Sequence, residues 1–395
     1  MSSRSPSRRI VLSLAASRML IDAAGSRRSA PRTPKRVLIA HDLLLGDTIM
    51  LTPLLAKCRE RWPDAEIVMT CPPRYCALYA MRPYGVRALP YDPRDVHSLR
   101  ELRAEARFDL ALVPGDNRYS WLARALGAGW VVGFSGADAR YKDWPIDELR
   151  SYPDVPTAWA DLVGGLIDGP PPARYRPRDW PTPPAAAFDV PGQPYAVIHA
   201  GASSALKRWP ASRWSEVARQ IEATGLSVVL SAGPGEAHLL DPIDPDRALT
   251  RFAGTLSLPQ MWHLLDRASL LIAPDTGIAH LGRIVDVPTL ALFGPGSALL
   301  CGAGDFWSES PFTALTIPDF PCRDQTVTMR RNIHWIRRCE RFEGSAPGQC
   351  PEARCMLALT TDDVTDAAMQ LLMSARGIGR QSLEASAQKG CGQIP

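Results

Sequence analysis

The 395-residue chain has no apolar run of the ~18 uncharged residues that a membrane-spanning helix needs. A helical membrane anchor is therefore not expected. Its nine cysteines are scattered, without the framework that staples small secreted domains, so reduced thiols in a cytosolic protein are expected rather than disulfides. The body of the chain also lacks positive charge. Residues 1–36 hold nine Arg or Lys and one Asp, so that segment carries +8 while the formal total is only +4, and the remainder is −4. A nucleic-acid-binding fold would show basic faces and aromatic platforms inside its domains, so no nucleic-acid partner is expected. The basic charge belongs to a leader. Residues 1–35 read as a disordered or membrane-surface segment suited to peripheral contact with anionic lipid, and Arg18 and Asp22 interrupt its apolar run too early for a secretory signal.

What is present describes a folded two-domain protein. Hydrophobic residues make up 46% and charged residues 22% of the chain, and its length exceeds what one core ordinarily fills. Strand patterns at Arg36–Ala40, Ala65–Thr70, Val86–Tyr91, Phe108–Val113 and Trp130–Phe134 alternate with helical ones, including a helix from Thr48 to about Arg61. That alternation predicts a parallel sheet covered by helices on both faces, over residues 36–168. Residues 169–194 are rich in proline, show no helical period and read as a linker. The pattern restarts at Tyr195–His199 and runs to about residue 375, giving a second α/β domain. Residues 376–395 read as a disordered tail. Two such domains are expected to leave a cleft between the carboxyl edges of their sheets.

The most informative stretch is ASLLIAPDTGIAHLGRIVDVPTLALFGP, from Ala268 to Pro295. It predicts a strand, a tight turn at Asp275 and Thr276, a helix, and a second buried strand. Such a unit places free backbone N–H groups of a helix N-terminus at the sheet edge, where they can seat a phosphate. Gly277 permits close approach to the backbone there, and His280 lies one turn further on. An ordinary crossover with a capping Asp would read the same way, and His280 could equally be a structural histidine. Asp47 follows Gly46 on a short turn after the first strand. It is a candidate general base, or a helix cap. Lys207 lies in a Gly/Ser loop and is a candidate phosphate cation, or a solvated surface lysine. Ser203 and Ser204 on the same loop could donate to phosphate or cap the loop. Glu236, after Gly233-Pro234-Gly235, is placed to accept from a ribose hydroxyl.

Several blocks together resemble glycosyltransferase family 9, which includes the bacterial lipopolysaccharide heptosyltransferases. They are the strand–LLLGD–helix followed by TPLLAKCRERWPDAEI, then VIHAGASSALKRWPASRWSEVARQI, LSAGPGEAH, and the Ala268–Pro295 stretch, and the similarity covers about residues 35–375. The resemblance implies a GT-B architecture: an N-terminal acceptor domain and a C-terminal nucleotide-sugar domain, both Rossmann-like, facing each other across a cleft. It implies inverting, metal-independent transfer of heptose from ADP-heptose to a lipid-linked saccharide acceptor at the cytoplasmic face of the inner membrane, with no cofactor. On this reading Asp47 is the base and Lys207 the diphosphate cation. Thr276 and Gly277 hold the diphosphate, Asp275 contacts sugar hydroxyls, and His280 faces phosphate or sugar. The chain departs from the family where His41-Asp42-Leu43 replaces the usual Arg-x-Ser, and where Ala200 replaces a proline. A nucleotide-sugar epimerase of the same architecture, or a non-catalytic nucleotide-sugar-binding protein, are the competing readings.

Cys322, Cys339, Cys350 and Cys355 cluster within an Arg- and Pro-rich segment, at spacings that fit no regular zinc pattern. Structural thiols, a metal knot or an oxidisable pair remain open. The run Thr361–Leu372 predicts a capped helix, which the resemblance implies crosses back to the first domain.

Overall fold

Runs of Val, Leu, Ile and Ala too short for helices become buried strands here, and each is followed by a segment that returns over the sheet. In the computed structural model, which describes residues 6–23, 28–105 and 107–374, this produces two six-stranded sheets. The first contains β1 (Arg36–Ile39), β2 (Glu66–Cys71), β3 (Val86–Pro90), β4 (Phe108–Val113), β5 (Ala128–Phe134) and β6 (Glu148–Arg150). The second contains β7 (Tyr195–His199), β8 (Ser227–Ala232), β9 (Thr250–Ala253), β10 (Leu270–Pro274), β11 (Thr289–Phe293) and β12 (Phe312–Thr316). All neighbours within both sheets pair in parallel.

The strand orders are β3-β2-β1-β4-β5-β6 and β12-β11-β10-β7-β8-β9. Each is a doubly wound Rossmann order, in which the chain reverses direction across the sheet beside its first strand. Ligands of such sheets bind outside the carboxyl ends of the two strands flanking that switch point. Those strands are β1 and β4 in one sheet, β7 and β10 in the other. In the first, Leu38 lies in register between Val68 and Ala111; in the second, Ile198 lies opposite Ile272.

The helices that matter below are α1 (Pro6–Ala23), α2 (Leu45–Ile49), α3 (Thr52–Arg61), α4 (Val96–Ala104), α5 (Tyr119–Ala125), α6 (Trp159–Val163), α7 (Ala211–Glu222), α8 (Leu258–Asp266) and α9 (Gly277–Val285). The single helix expected from Thr48 to Arg61 is two. Pro53, at the second position of α3, lacks an N–H to donate backwards, and the chain restarts its helix at Leu51 after a turn. The leader, expected to be disordered or on a membrane surface, is helical over Pro6–Ala23. Val11 and Ala15, one turn apart, are buried where α1 packs on α5, and Ser7 Oγ donates to the Pro93 carbonyl. The rest of that expectation and the expected tail at 376–395 fall largely outside the described residues.

The chain divides into two units. One runs to Pro184 and also takes Leu299–Ser308 and Asp324–Arg338; the other takes the remaining segments. The boundary thus falls inside the predicted linker, but the linker's first half is packed. Trp180 is buried against Tyr79 at 5.0 Å between ring centroids, and the Tyr175 N–H donates to the Phe306 carbonyl (2.9 Å). These two aromatics anchor a segment whose prolines hide any period. The helix over 361–374 sets Val364, Ala368 and Leu372 into the core of the second unit, against Trp209 and Met356. Its four-residue apolar spacing is therefore used within that unit.

Three strands of the two six-stranded sheets escaped the sequence pattern: β6, β9 and β12. All lie at sheet edges and none has a continuously buried run. The four clustered cysteines are free thiols, and burial pushes those of Cys322 and Cys355 upward, with neighbouring cysteines adding to the shift. Among the described residues no group of three or more His, Cys, Asp or Glu is placed to hold a metal ion.

Candidate active site

In the second unit, the loops leaving β7 and β10 meet at the switch point. The β7 loop runs through Ala200–Ser204 into a short 3-10 turn, Ala205–Lys207, and the β10 loop is Asp275-Thr276 leading into α9. Lys207 Nζ donates to Asp275 Oδ2 at 2.7 Å and to the Asp275 carbonyl at 2.9 Å. Lys207, expected as a phosphate cation or a solvated surface lysine, is held in a charge-assisted pair across the two loops. Its side chain keeps 28% of its exposure while that of Asp275 keeps 8%, so the pair is sheltered but reachable.

Thr276 is the residue before the helix, with extended backbone (φ −139°, ψ 169°), and Gly277 is the first helical residue. The Thr276 side chain makes no capping bond, and its Oγ1 is buried without a hydrogen-bond partner. His280 lies one turn on, buried, with Nε2 3.9 Å from Asp275 Oδ1 and Nδ1 unpartnered. Burial, reinforced by Arg283, lowers its pKa to about 3, so the imidazole is neutral at physiological pH. A neutral ring cannot act as a phosphate cation; it packs beside the Asp275 carboxylate. Unpartnered buried polar atoms at a helix N-terminus suit a polar or anionic ligand.

Glu236 takes a different place from the one its spacing suggested. Its Oε2 accepts from the Gly233 N–H (3.0 Å) and its Oε1 from the Ala202 N–H (3.2 Å), so it ties the β7 loop to the β8 loop. A Cβ on Gly201 would lie 2.2 Å from that carboxylate, which explains the glycine. Ser203 is exposed and Ser204 half-buried on the same loop as Lys207.

Sequence reasoning missed Gly296, in the loop after β11. A Cβ there would sit 2.3 Å from Asp275 Oδ2, so only glycine lets that loop close on the carboxylate. The available signal is the Gly294-Pro295-Gly296 run after a buried strand, which by itself reads only as a stop.

The first unit builds its own switch-point edge. The loop after β1 is braced by His41, whose N–H donates to Thr70 Oγ1 (2.8 Å) and whose carbonyl accepts from the same hydroxyl (2.7 Å). Full burial lowers the pKa of His41 to about 3, so it serves as a neutral strut. Asp42 Oδ2 accepts from Tyr119 Oη (3.2 Å), and burial raises the Asp42 carboxyl above its ordinary range. Asp47 is half-buried in the first turn of α2; Leu44 occupies the cap position, so Asp47 is not the cap. Gly46 lies inside that turn and is not among the glycines with positive φ. The structure gathers Lys207, Asp275, Thr276, Gly277 and His280 at one edge, sets Ser203 and Ser204 on the loop that carries Lys207 and Glu236 on the β8 loop beside it, and carries Gly46 and Asp47 on the first unit.

The model of "glycosyltransferase family 9 (heptosyltransferase)" matches residues 96–327. That range includes every candidate site residue of the second unit and leaves Gly46 and Asp47 outside it. The chain is 27% identical over 320 residues to lipopolysaccharide heptosyltransferase 1 of Pseudomonas aeruginosa, covering 74% of this chain and 87% of that protein. It is 24% identical over 311 residues to lipopolysaccharide heptosyltransferase 3 of Escherichia coli, covering 71% and 89%. Among solved structures, E. coli ADP-heptose lipopolysaccharide heptosyltransferase II matches with a TM-score of 0.64 at 18% identity, over 87% of this chain and 99% of that one. At that identity the likeness concerns the fold, two Rossmann-like domains of the GT-B class. With more than half its length matched by the family model, this chain belongs to glycosyltransferase family 9 and is a glycosyltransferase.

Proposed function

We propose that the protein is an inverting, metal-independent heptosyltransferase that moves heptose from ADP-heptose onto a lipopolysaccharide-core or related surface-glycan acceptor. The observation that carries this reading is the Lys207–Asp275 pair at the N-terminus of α9, on the switch-point edge of a family 9 chain. The names of the relatives supply heptose and ADP as the default donor. The acceptor is taken to be lipid-linked, reached at the cytoplasmic face of the inner membrane with help from the basic N-terminal segment.

The chemistry follows from where charge develops. The acceptor hydroxyl attacks the anomeric carbon on the face opposite the leaving group, the C–O bond to the diphosphate breaks, and ADP departs. The sugar passes through an oxocarbenium-like state while negative charge builds on the diphosphate. Lys207, the backbone N–H groups of Thr276 and Gly277, and the hydroxyls of Ser203 and Ser204 stabilise that charge. An arriving diphosphate competes with Asp275 for the Lys207 ammonium, which turns the Asp275 carboxylate toward the donor's sugar hydroxyls. Neutral His280 packs against Asp275 and keeps it oriented. Glu236 accepts from the ribose only as far as its loop-bracing role allows. Asp47 takes the proton of the acceptor hydroxyl as that oxygen attacks.

The functional test is release of ADP from ADP-heptose, which this reading requires to depend on acceptor. Gly296 supplies a structural test. Gly296→Ala should push Asp275 aside while the protein stays folded, because its Cβ would lie 2.3 Å from Oδ2. Transfer is expected to fall about 10²-fold, the cost of misplacing a group by about 1 Å. Unchanged transfer with an unchanged melting temperature would remove Asp275 from the donor site.

A further inference from the structure

A short hairpin of the first unit, β13 (Val327–Thr328) and β14 (Arg331–Asn332), begins where the family match ends, and the donor chemistry does not use it. Its strands pair antiparallel, Val327 with Asn332 and Thr328 with Arg331, so Met329 and Arg330 form a two-residue loop. Both loop residues have positive φ, 44° and 63°. A turn of this kind ordinarily takes Asn and Gly, because most side chains resist that backbone. Methionine and arginine here hold strain that the surroundings must fix in place, and strain of this sort gathers where a position matters to function.

Arg331 does the fixing. It is 1% exposed and reaches the carboxyl ends of β4 and β5. Its Nε donates to the Ser135 carbonyl (2.9 Å), Nη1 to the Gly115 carbonyl (2.9 Å), and Nη2 to the Phe134 carbonyl (3.0 Å) and Asn117 Oδ1 (2.5 Å). Nη1 also returns to the Met329 carbonyl (2.8 Å), closing the turn on itself. A buried cation satisfied this fully sets register, since any slip would leave its donors unpaired. The Asp138 N–H donates to the Arg330 carbonyl (3.1 Å) and Trp335 Nε1 to the Pro153 carbonyl (2.9 Å), so the hairpin is pinned on either side of Arg331.

The strained tip comes to rest at the loop after β1. A Cβ on Gly115 would lie 3.0 Å from Leu43 Cδ2 and 3.8 Å from Met329 Sδ, so both side chains close over the same bare backbone. The Leu43 and Leu44 carbonyls in turn accept from Thr48 Oγ1, at 3.4 and 2.9 Å, which ties this loop to the first turn of α2 beside Asp47.

We propose that the hairpin is a brace for the Asp47 loop, with Met329 and Arg331 as positioning residues: Arg331 sets the hairpin on the sheet edge, and Met329 holds Leu43 in place. The proposal rests on the transferase reading and deepens it, by naming what keeps the base-bearing loop in its working position.

The test replaces the tip with the residues that such a turn prefers, Met329→Asn/Arg330→Gly, which preserves the backbone hydrogen bonds of the hairpin. The melting temperature should hold or rise, because the turn strain is relieved. Hydrogen–deuterium exchange over residues 42–50 should nevertheless quicken at least about fivefold, as a loop that has lost its packing opens more often. In transfer assays kcat should fall about 10- to 10²-fold, the scale of a small misplacement of a reacting group, with donor Kd unchanged. Added to Asp47→Asn, the same tip change should cost nothing further in kcat, since a brace acts only through what it holds. Met329→Leu/Arg330→Gly restores an apolar side chain over Gly115 and should recover most of the lost rate. The exchange measurement needs no substrate, so its outcome stands apart from that of the transferase reading. Unchanged exchange over residues 42–50, an unchanged kcat, or a loss that adds fully to that of Asp47→Asn would overturn the proposal.

Discussion

Asp47→Asn is expected to lower glycosyl transfer by about 10²- to 10⁴-fold, the range that removal of a general base produces. The acceptor hydroxyl is a weak nucleophile with a high pKa, and its proton must leave as the C–O bond forms. The substituted carboxamide would be nearly isosteric and able to hydrogen-bond the hydroxyl, but unable to accept its proton. The loss should therefore fall on the rate at saturating substrates. Donor affinity should not change, because the donor contacts proposed for this protein belong to the second unit. The position favours the assignment: Asp47 lies in the first turn of α2 without serving as its cap, on a loop braced by the buried, neutral His41. Measurement of kcat and donor Kd for Asp47→Asn decides the matter. A variant that keeps near-parental turnover would assign the base elsewhere; one that loses donor binding would make Asp47 a structural residue.

Lys207→Ala is the second large effect. Removing one preorganised charge from the leaving group is expected to cost about 10²- to 10³-fold in kcat. The same substitution leaves the Asp275 carboxylate, 8% exposed, without its Lys207 ammonium, so stability should also fall. The double variant Lys207→Ala/Asp275→Asn separates the two. Restoring charge balance should recover much of the melting temperature, while transfer stays at or below the Lys207→Ala level. Coupling between the two sites in stability is expected at about 1–3 kcal/mol, as for residues in direct contact. If the double variant regains transfer along with stability, Lys207 and Asp275 form a structural brace and the diphosphate site lies elsewhere.

The central strands and the Asp275-Thr276 turn between β10 and α9 were legible in the sequence because burial on both faces of a parallel sheet leaves continuous apolar runs. Leu270–Pro274 and Thr289–Phe293 are fully buried and stand out. The edge strands β6, β9 and β12 do not, since their half-exposed residues carry no such run. At the site, residue types were legible but partnerships were not. Lys207 and Asp275 are 68 residues apart, and nothing local says that they meet. Glu236 follows a Gly-rich turn as a ribose-binding carboxylate would, yet two backbone N–H groups from separate loops hold it. The leader misleads through composition. Its arginines dominate the reading, whereas the small apolar pair Val11 and Ala15 seats it against α5.

The central claim is that this chain transfers heptose from ADP-heptose to an acceptor, and the most direct measurement is ADP release followed with and without a lipid-linked saccharide acceptor. The prediction is ADP formed only when acceptor is present, in step with a glycosylated product of inverted anomeric configuration. Conversion of the nucleotide sugar without acceptor, or tight ADP binding with no release of ADP on any acceptor, would contradict it.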